Sequence, residues 1–456
     1  MSKVIEYRIV IAGNATDNEK RAAVFLRNHV RLVCGVLIPI VTDAEAPIDK
    51  EIVIGKTNRE KVGFLPERDR KGLYEYIIKS DGERLFICGL GTPDTPPAEY
   101  TSAYKYTDEG DIGTVMGVYR FVEDILGYEF IFEGYSELRE NRDAEIDENC
   151  LIEYTTEGLR NQKLPLLCGE CIYMLPVTVT LDWNIMSFII KTKNGKLIVI
   201  DGGHAAETEY LLDVLSKLAP EGGVPVVAAW FLTHLHGDHY GAFANIVAHY
   251  DEYKDKVRVE NYYCNLAEEE FYTTLSRDAG EWCKPARDTI LSSGDVLGCT
   301  VHTVNTGDVI EIDGMSFRVI HVPDMNYARE MSMNDSSVVY KLTASCGQTV
   351  MFLGDAEWMC NNDLLENHRD ELKSDVVQVG HHGCGNVSKE CYAAIGAEYY
   401  LWQLGNRSWY GEKGQGLNTH NTGVIATRNN IMSLGAKREN IFFDRNGVLG
   451  FEFPIK

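Results

Sequence analysis

Hydrophobic and polar positions follow two periods along this chain, and the changes between them mark its elements. Residues 7–11 alternate weakly and read as a strand. Residues 14–33 place Ala22, Ala23, Phe25, Leu26, Val30 and Val33 at helical spacing, which predicts an amphipathic helix. Short β-branched runs follow at 36–41 and 51–55, and residues 74–78 and 85–89 flank Ser80-Asp81-Gly82, a hairpin signal. Residues 113–127 read as a second helix, with Gly127 just past its end. Strands with two covering helices predict an α/β sandwich of about 150 residues. The stretch 133–157 is rich in Glu, Asp and Asn and poor in apolar residues, so the chain is expected to divide into domains 1–155 and 156–456.

In the second domain, 186–191 and 197–200 flank Thr192-Lys193-Asn194-Gly195, an Asn-Gly hairpin whose second strand runs into Asp201-Gly202-Gly203-His204. A helical run at 207–218 leads to the apolar stretch 226–232, which ends in Thr233-His234-Leu235-His236-Gly237-Asp238-His239. Two hairpins are predicted, 309–312 with 317–321 and 337–343 with 349–353, the latter ending in Gly354-Asp355. The short strand 376–379 ends in Gly380-His381-His382-Gly383, and a Gly-rich stretch at 409–420 precedes a helical run at 420–434. No apolar run approaches the ~20 residues that cross a bilayer, and no signal-peptide pattern opens the chain.

Composition narrows the function. At 456 residues, 45% hydrophobic and 25% charged, the chain has the make-up of a globular protein with room for two cores. The formal net charge of -24 is carried by both halves and opposes a nucleic-acid polymer as partner, because such binding rests on Lys and Arg neutralising phosphates. A small phosphoester stays compatible. The 12 cysteines lack a framework spacing, which fits reduced thiols and a cytoplasmic location. Cys168-Gly169-Glu170-Cys171 has no second pair to make a zinc ribbon, and reads as two buried thiols beside a strand.

The candidate chemistry is metal binding. His234 and His236 are two apart, so in an extended loop their imidazoles leave the same side. Asp238 and His239 open the following helix, where a carboxylate is favoured. Strands that end in His or Asp recur at Asp201, Asp355 and His381-His382, which is how a sheet edge collects ligands distant in sequence. His29, His249, His302 and His368 are expected to have no metal role.

These residues resemble the metallo-β-lactamase superfamily, an αββα four-layer sandwich with metals at one edge of two packed sheets. The matching motifs are Asp201, His234-x-His236-x-Asp238-His239, Asp355 and a late histidine from His381-His382. Asn334-Asp335-Ser336-Ser337 before Gly354-Asp355 and His381-His382-Gly383 is similar to the branch at the end of DNA-uptake competence proteins, and to phosphorylcholine esterase-like members. The resemblance implies His234 and His236 on a first metal, Asp238 and His239 on a second, and Asp355 bridging. His381 or His382 completes the second site, and Asp201 orients ligands behind it. It also implies a metal-bridging hydroxide attacking an ester or phosphoester, with Asp238 essential and His420 stabilising charge on substrate or leaving group. Zinc suits the imidazole–carboxylate set, with one or two ions bound; manganese or iron also fits. Many relatives carry another histidine for the first site. Here Asn334 or Asp335 stands near that position, with His321 a weaker candidate. A loop bearing Trp409, Tyr410, Lys413 and His420 is expected to cover the substrate. A metal-binding sensor and a nuclease are the alternatives. Residues 1–155 resemble the small α/β domain preceding the barrels of α-glucuronidases and β-hexosaminidase-like glycosidases, through Ile52-Val53-Ile54-Gly55, Ile87-Cys88-Gly89 and Gly117-Val118-Tyr119 to Leu126-Gly127-Tyr128. That implies a structural or dimerising module without catalytic residues.

Overall fold

A computed structural model describes residues 1–67, 74–91, 112–128, 141–178, 184–220, 223–280, 283–412, 416–419, 422–445 and 447–456. It divides into two compact units, one of Met1–Leu159 with Asn406–Asn421, the other of Arg160–Gly405 with Thr422–Lys456. The sequence had assigned 156–456 to one domain, whereas 406–421 packs with the first unit.

The first unit contains β1 (Arg8–Ile11), α1 (Asp17–Cys34), β2 (Ile40–Thr42), β3 (Glu51–Ile54), β4 (Tyr76–Ser80), β5 (Leu85–Gly89), α2 (Gly113–Asp124) and β6 (Leu151–Tyr154). The sheet order is β2-β1-β3-β5-β4-β6. The first four strands are parallel and the last two pairings antiparallel. Thr16 starts α1 through a capping box, accepting from the Glu19 N–H while its own N–H donates to Glu19 Oε2 at 2.8 Å. Gly35, at φ 76°, ends the helix in the left-handed conformation that glycine adopts without penalty. The strand predicted at 36–41 is cut to Ile40–Thr42, since this turn precedes it and Pro39 lacks an N–H. The segment 406–421 is tied into this unit by Glu412, fully buried, which accepts from Tyr119 Oη at 2.6 Å and Arg21 Nη1 at 2.7 Å. Trp409 Nε1 and Tyr410 Oη both donate to Glu123, at 3.2 and 2.9 Å. These two aromatics are buried structural residues, so they are not available as the substrate cover that the sequence predicted. Lys413 and His420 lie outside the described residues.

The second unit is a four-layer αββα sandwich. Its first sheet holds β7 (Cys171–Met174), β8 (Ser187–Lys191), β9 (Leu197–Asp201), β10 (Val226–Phe231), β11 (Asn261–Cys264), β12 (Thr300–Thr303) and, last in the chain, Leu449–Glu452. Three helices cover it: α3 (Thr208–Leu218), α4 (Gly237–Ala248) and α5 (Cys283–Leu297). The second sheet runs β13 (Val309–Ile312), β14 (Met315–His321), β15 (Val339–Thr343), β16 (Thr349–Phe352), β17 (Val376–Gln378), β18 (Tyr399–Trp402) and β19 (Ile441–Phe443). It is accompanied by α6 (Trp358–Asn367), α7 (Lys389–Ile395) and α8 (Thr422–Ser433).

Both faces of the central strands are buried, which is why they read as continuous apolar runs. Phe188, Ile198, Ile200 and Phe231 meet Phe317, Tyr340, Leu342 and Phe352 between the sheets. Ile189, Val199 and Trp230 face Leu211, Leu215 and Phe243 of the helices. Burying one such side chain contributes roughly 1.5–3 kcal/mol, and the period-2 alternation sorts the two sets onto opposite faces. The CxxC reading is corrected: Cys171 is buried on β7, but Cys168 precedes the strand and is exposed. No helix among the described residues is long and apolar enough to cross a membrane.

Candidate metal centre

Parallel pairing brings the candidate ligands together. β9 runs parallel to β10, and β16 parallel to β17, so within each pair the carboxyl ends lie at the same edge. Asp201, the 233–239 loop, Asp355 and His381-His382 follow those ends. The two sheets are tied there by Tyr340 Oη donating to the Leu232 carbonyl at 3.0 Å and the Val338 N–H donating to Thr233 O at 2.9 Å.

Two groups of side chains converge on Asp355. Asp238, His239, Asp355 and His382 form one, and His234, His236 and Asp355 the other; within each, one ligand atom per residue lies within 4.8 Å of the rest. His239 Nε2 is 3.3 Å from Asp355 Oδ1, and His382 Nε2 is 3.2 Å from Asp238 Oδ2 and 3.6 Å from Asp355 Oδ2. His234 Nε2 faces His236 Nδ1 at 3.0 Å and lies 4.0 Å from Asp355 Oδ2. The donor set of the Asp238/His239/Asp355/His382 group fits a metal ion on an independent count. Buried His239 Nε2, His382 Nε2 and Asp355 Oδ1 have no hydrogen-bond partner, and buried polar atoms seldom stay unsatisfied.

The loops aim these atoms through their other ends. Asp201, with no exposed surface and φ 61°, accepts from Thr233 N–H at 2.8 Å and from His239 Nδ1–H at 2.9 Å. That fixes the His239 tautomer and presents Nε2. His382 donates from Nδ1 to the Gln403 carbonyl at 3.0 Å, with the same result. Both His381 and His382 have left-handed backbone, φ 49° and 50°, a strained conformation for such residues. The next residue, Gly383, is required by sterics, since a Cβ there would lie 2.1 Å from the Trp402 ring.

Charges within the centre move its protonation. Burial and the neighbouring imidazoles push His234 down. For His239 and His382, burial is outweighed by Asp355 and the other carboxylates, which raise both. Burial likewise opposes, but does not prevent, the lowering of Asp238 and Asp355 by His239.

The structure separates the two late histidines. His382 joins the second group, whereas His381 belongs to neither and lies 3.2 Å from Asn334 Nδ2 and 3.6 Å from Glu357 Oε1. Asn334 donates to Glu357 Oε1 at 3.1 Å and is placed beside His381. Asp335 is corrected as a first-site candidate. Its Oδ1 accepts from the N–H groups of Met359 and Cys360 at 2.9 and 3.3 Å, capping α6. His321 also leaves the first site, grouping instead with Asp363 and His368. The sequence overlooked Asp278, in a polar loop without a motif. Ser276 Oγ and Met333 N–H bind its Oδ1, and Oδ2 lies 3.9 Å from His236 Nε2.

Asp444, also unforeseen, lies under the His382 support, accepting from Leu404 N–H at 3.2 Å. Burial pushes its carboxyl up to about 8, against about 3.9 for an unfolded aspartate. The folded state therefore retains this proton through the window between those values, and stability falls as pH rises across it. Asp444→Asn is expected to flatten the decline; thermal melts of both proteins from acid to mildly alkaline pH test this, and parallel curves would refute it.

This arrangement is that of a metallo-β-lactamase-fold domain. The family model described as "Metallo-beta-lactamase superfamily" matches residues 181–383. Similar solved structures include the metallo-beta-lactamase fold protein YhfI from Bacillus subtilis, at 9% identity over 62% of this chain and 99% of that one, with a TM-score of 0.37. Zinc-bound PqqB from Methylobacterium extorquens aligns at 11% identity over 59% and 87%, TM-score 0.37. A diphosphatase of the PhnP family aligns at 13% over 62% and 98%, TM-score 0.35. No curated protein matches the chain.

Proposed function

We propose that the second unit is a metal-dependent hydrolase of a small ester, a phosphoester foremost. The observation that carries this reading is Asp355, shared by the His234/His236 group and the Asp238/His239/His382 group. One carboxylate between two imidazole sets suits a pair of zinc ions, or manganese or iron. Such a pair supplies Lewis acidity and acidifies water at neutral pH.

The chain's own residues do the rest. Asp201 and the Gln403 carbonyl hold His239 and His382 with Nε2 forward, so little reorganisation is needed when an ion binds. Asp238 and Asp355 concentrate negative charge between the imidazoles. His381, about one-fifth exposed and within reach of Asn334 and Glu357, lies where it can contact a substrate's polar group. The net charge of -24 favours a small substrate over a nucleic-acid polymer.

Protein purified without chelator is expected to contain about one to two equivalents of transition metal at this centre. It should also cleave at least one of a phosphodiester, phosphomonoester, thioester or lactam chromogen, with chelation abolishing turnover and zinc restoring it. Turnover indifferent to chelation would overturn the proposal. Bound metal without turnover of any chromogen would favour the sensor reading.

A further inference from the structure

We propose that His321, Asp363 and His368 form an auxiliary site for a divalent transition-metal ion of the zinc class, separate from the Asp355 centre. The three come from two elements: His321 ends β14, Asp363 lies in the second turn of α6, and His368 caps its C-terminus. Asp363 Oδ2 lies between the two imidazoles, 2.7 Å from His321 Nδ1 and 3.5 Å from His368 Nε2. Ligand atoms on a tetrahedral zinc ion with bonds of ~2.0–2.1 Å are about 3.3 Å apart, so small side-chain shifts complete the geometry.

Hydrogen bonding alone leaves this trio incomplete. His321, only 4% exposed, turns Nδ1 to Asp363, and His368 has a buried Nδ1 without a partner. That His368 Nδ1 lies 3.5 Å from Glu371 Oε1, beyond a good hydrogen bond. An ion on Nε2 would fix the proton on Nδ1 and draw the ring toward Glu371, the carboxylate–histidine–metal arrangement. Arg318 Nε holds the other Glu371 oxygen at 2.6 Å. Two imidazoles with one carboxylate select zinc-class ions over magnesium or calcium. Asp363, about one-third exposed, leaves room for water as a further ligand.

The placement gives the site a structural role. Asp335 holds the N-terminus of α6, and the ion would fasten its C-terminal end to β14. This helix begins just after Asp355, so the auxiliary ion would stiffen the support of the shared carboxylate.

The test uses the full chain, stripped with chelator and dialysed against zinc. His368→Ala and Asp363→Asn are each expected to bind about one equivalent less than the unaltered protein. In an Asp355→Asn background, which weakens both ligand groups of the main centre, zinc should still raise the melting temperature, and the rise should shrink when His368→Ala is added. Either variant suffices if the other does not fold. Equal zinc stoichiometry in the unaltered protein and a folded variant would overturn the proposal.

Discussion

Asp355→Asn is expected to remove catalysis and to lower metal content in both ligand groups at once. The carboxylate is 2% exposed, its backbone N–H is anchored on Ser337 Oγ at 3.1 Å, and its two oxygens face His239 and His382. Asparagine keeps the shape and loses the charge. Metal-borne stabilisation of a transition state is worth several kcal/mol, so the rate should drop about 10²- to 10⁴-fold. Steady-state kinetics on a responsive chromogen, with metal analysis on the same sample, gives the answer. A variant with normal metal content and normal kcat/KM would remove Asp355 from the centre, and with it the argument for a metal pair.

The second large effect is expected from a residue that touches no metal. Asp201 accepts from Thr233 N–H, Thr233 Oγ1–H and His239 Nδ1–H. Asparagine tolerates the positive φ at this position, so Asp201→Asn should keep the backbone turn. It replaces one acceptor oxygen with an amide donor facing groups that already donate. A buried mismatch of this kind costs about 1–3 kcal/mol, and loss of an orienting partner lowers metal affinity about 10- to 100-fold. Zinc competition titration should show that loss together with a reduced melting temperature. A variant with reduced stability and unchanged zinc affinity would make Asp201 a structural residue only.

Much of the centre was legible because metal ligation needs His and Asp at the ends of buried strands, and such strands are conspicuous as apolar runs. Asp201, the 233–239 motif, Asp355 and the His381-His382 pair were all visible in this way. Sequence alone misleads where a polar residue has two possible partners. Asp335 stood beside the motif but serves the N–H groups at the start of α6. Trp409 and Tyr410 looked like an exposed aromatic cover, yet Glu123 recruits both into the first unit. His321 and His368, 47 positions apart, carried no spacing signal and meet only around Asp363.

By itself, then, the chain's sequence determined the alternation of strands and helices, the candidate ligand types and the edge at which they gather. These depend on local periodicity and on the chemistry of single side chains. Only the tertiary structure decided that His382 and not His381 joins Asp238, that Asp278 stands beside His236, and that 406–421 belongs to the first unit. Those choices turn on left-handed backbone at His381 and His382, on buried hydrogen bonds between distant segments, and on parallel strand pairing. None of these has a local signature, because each exists only once remote parts of the chain have packed together.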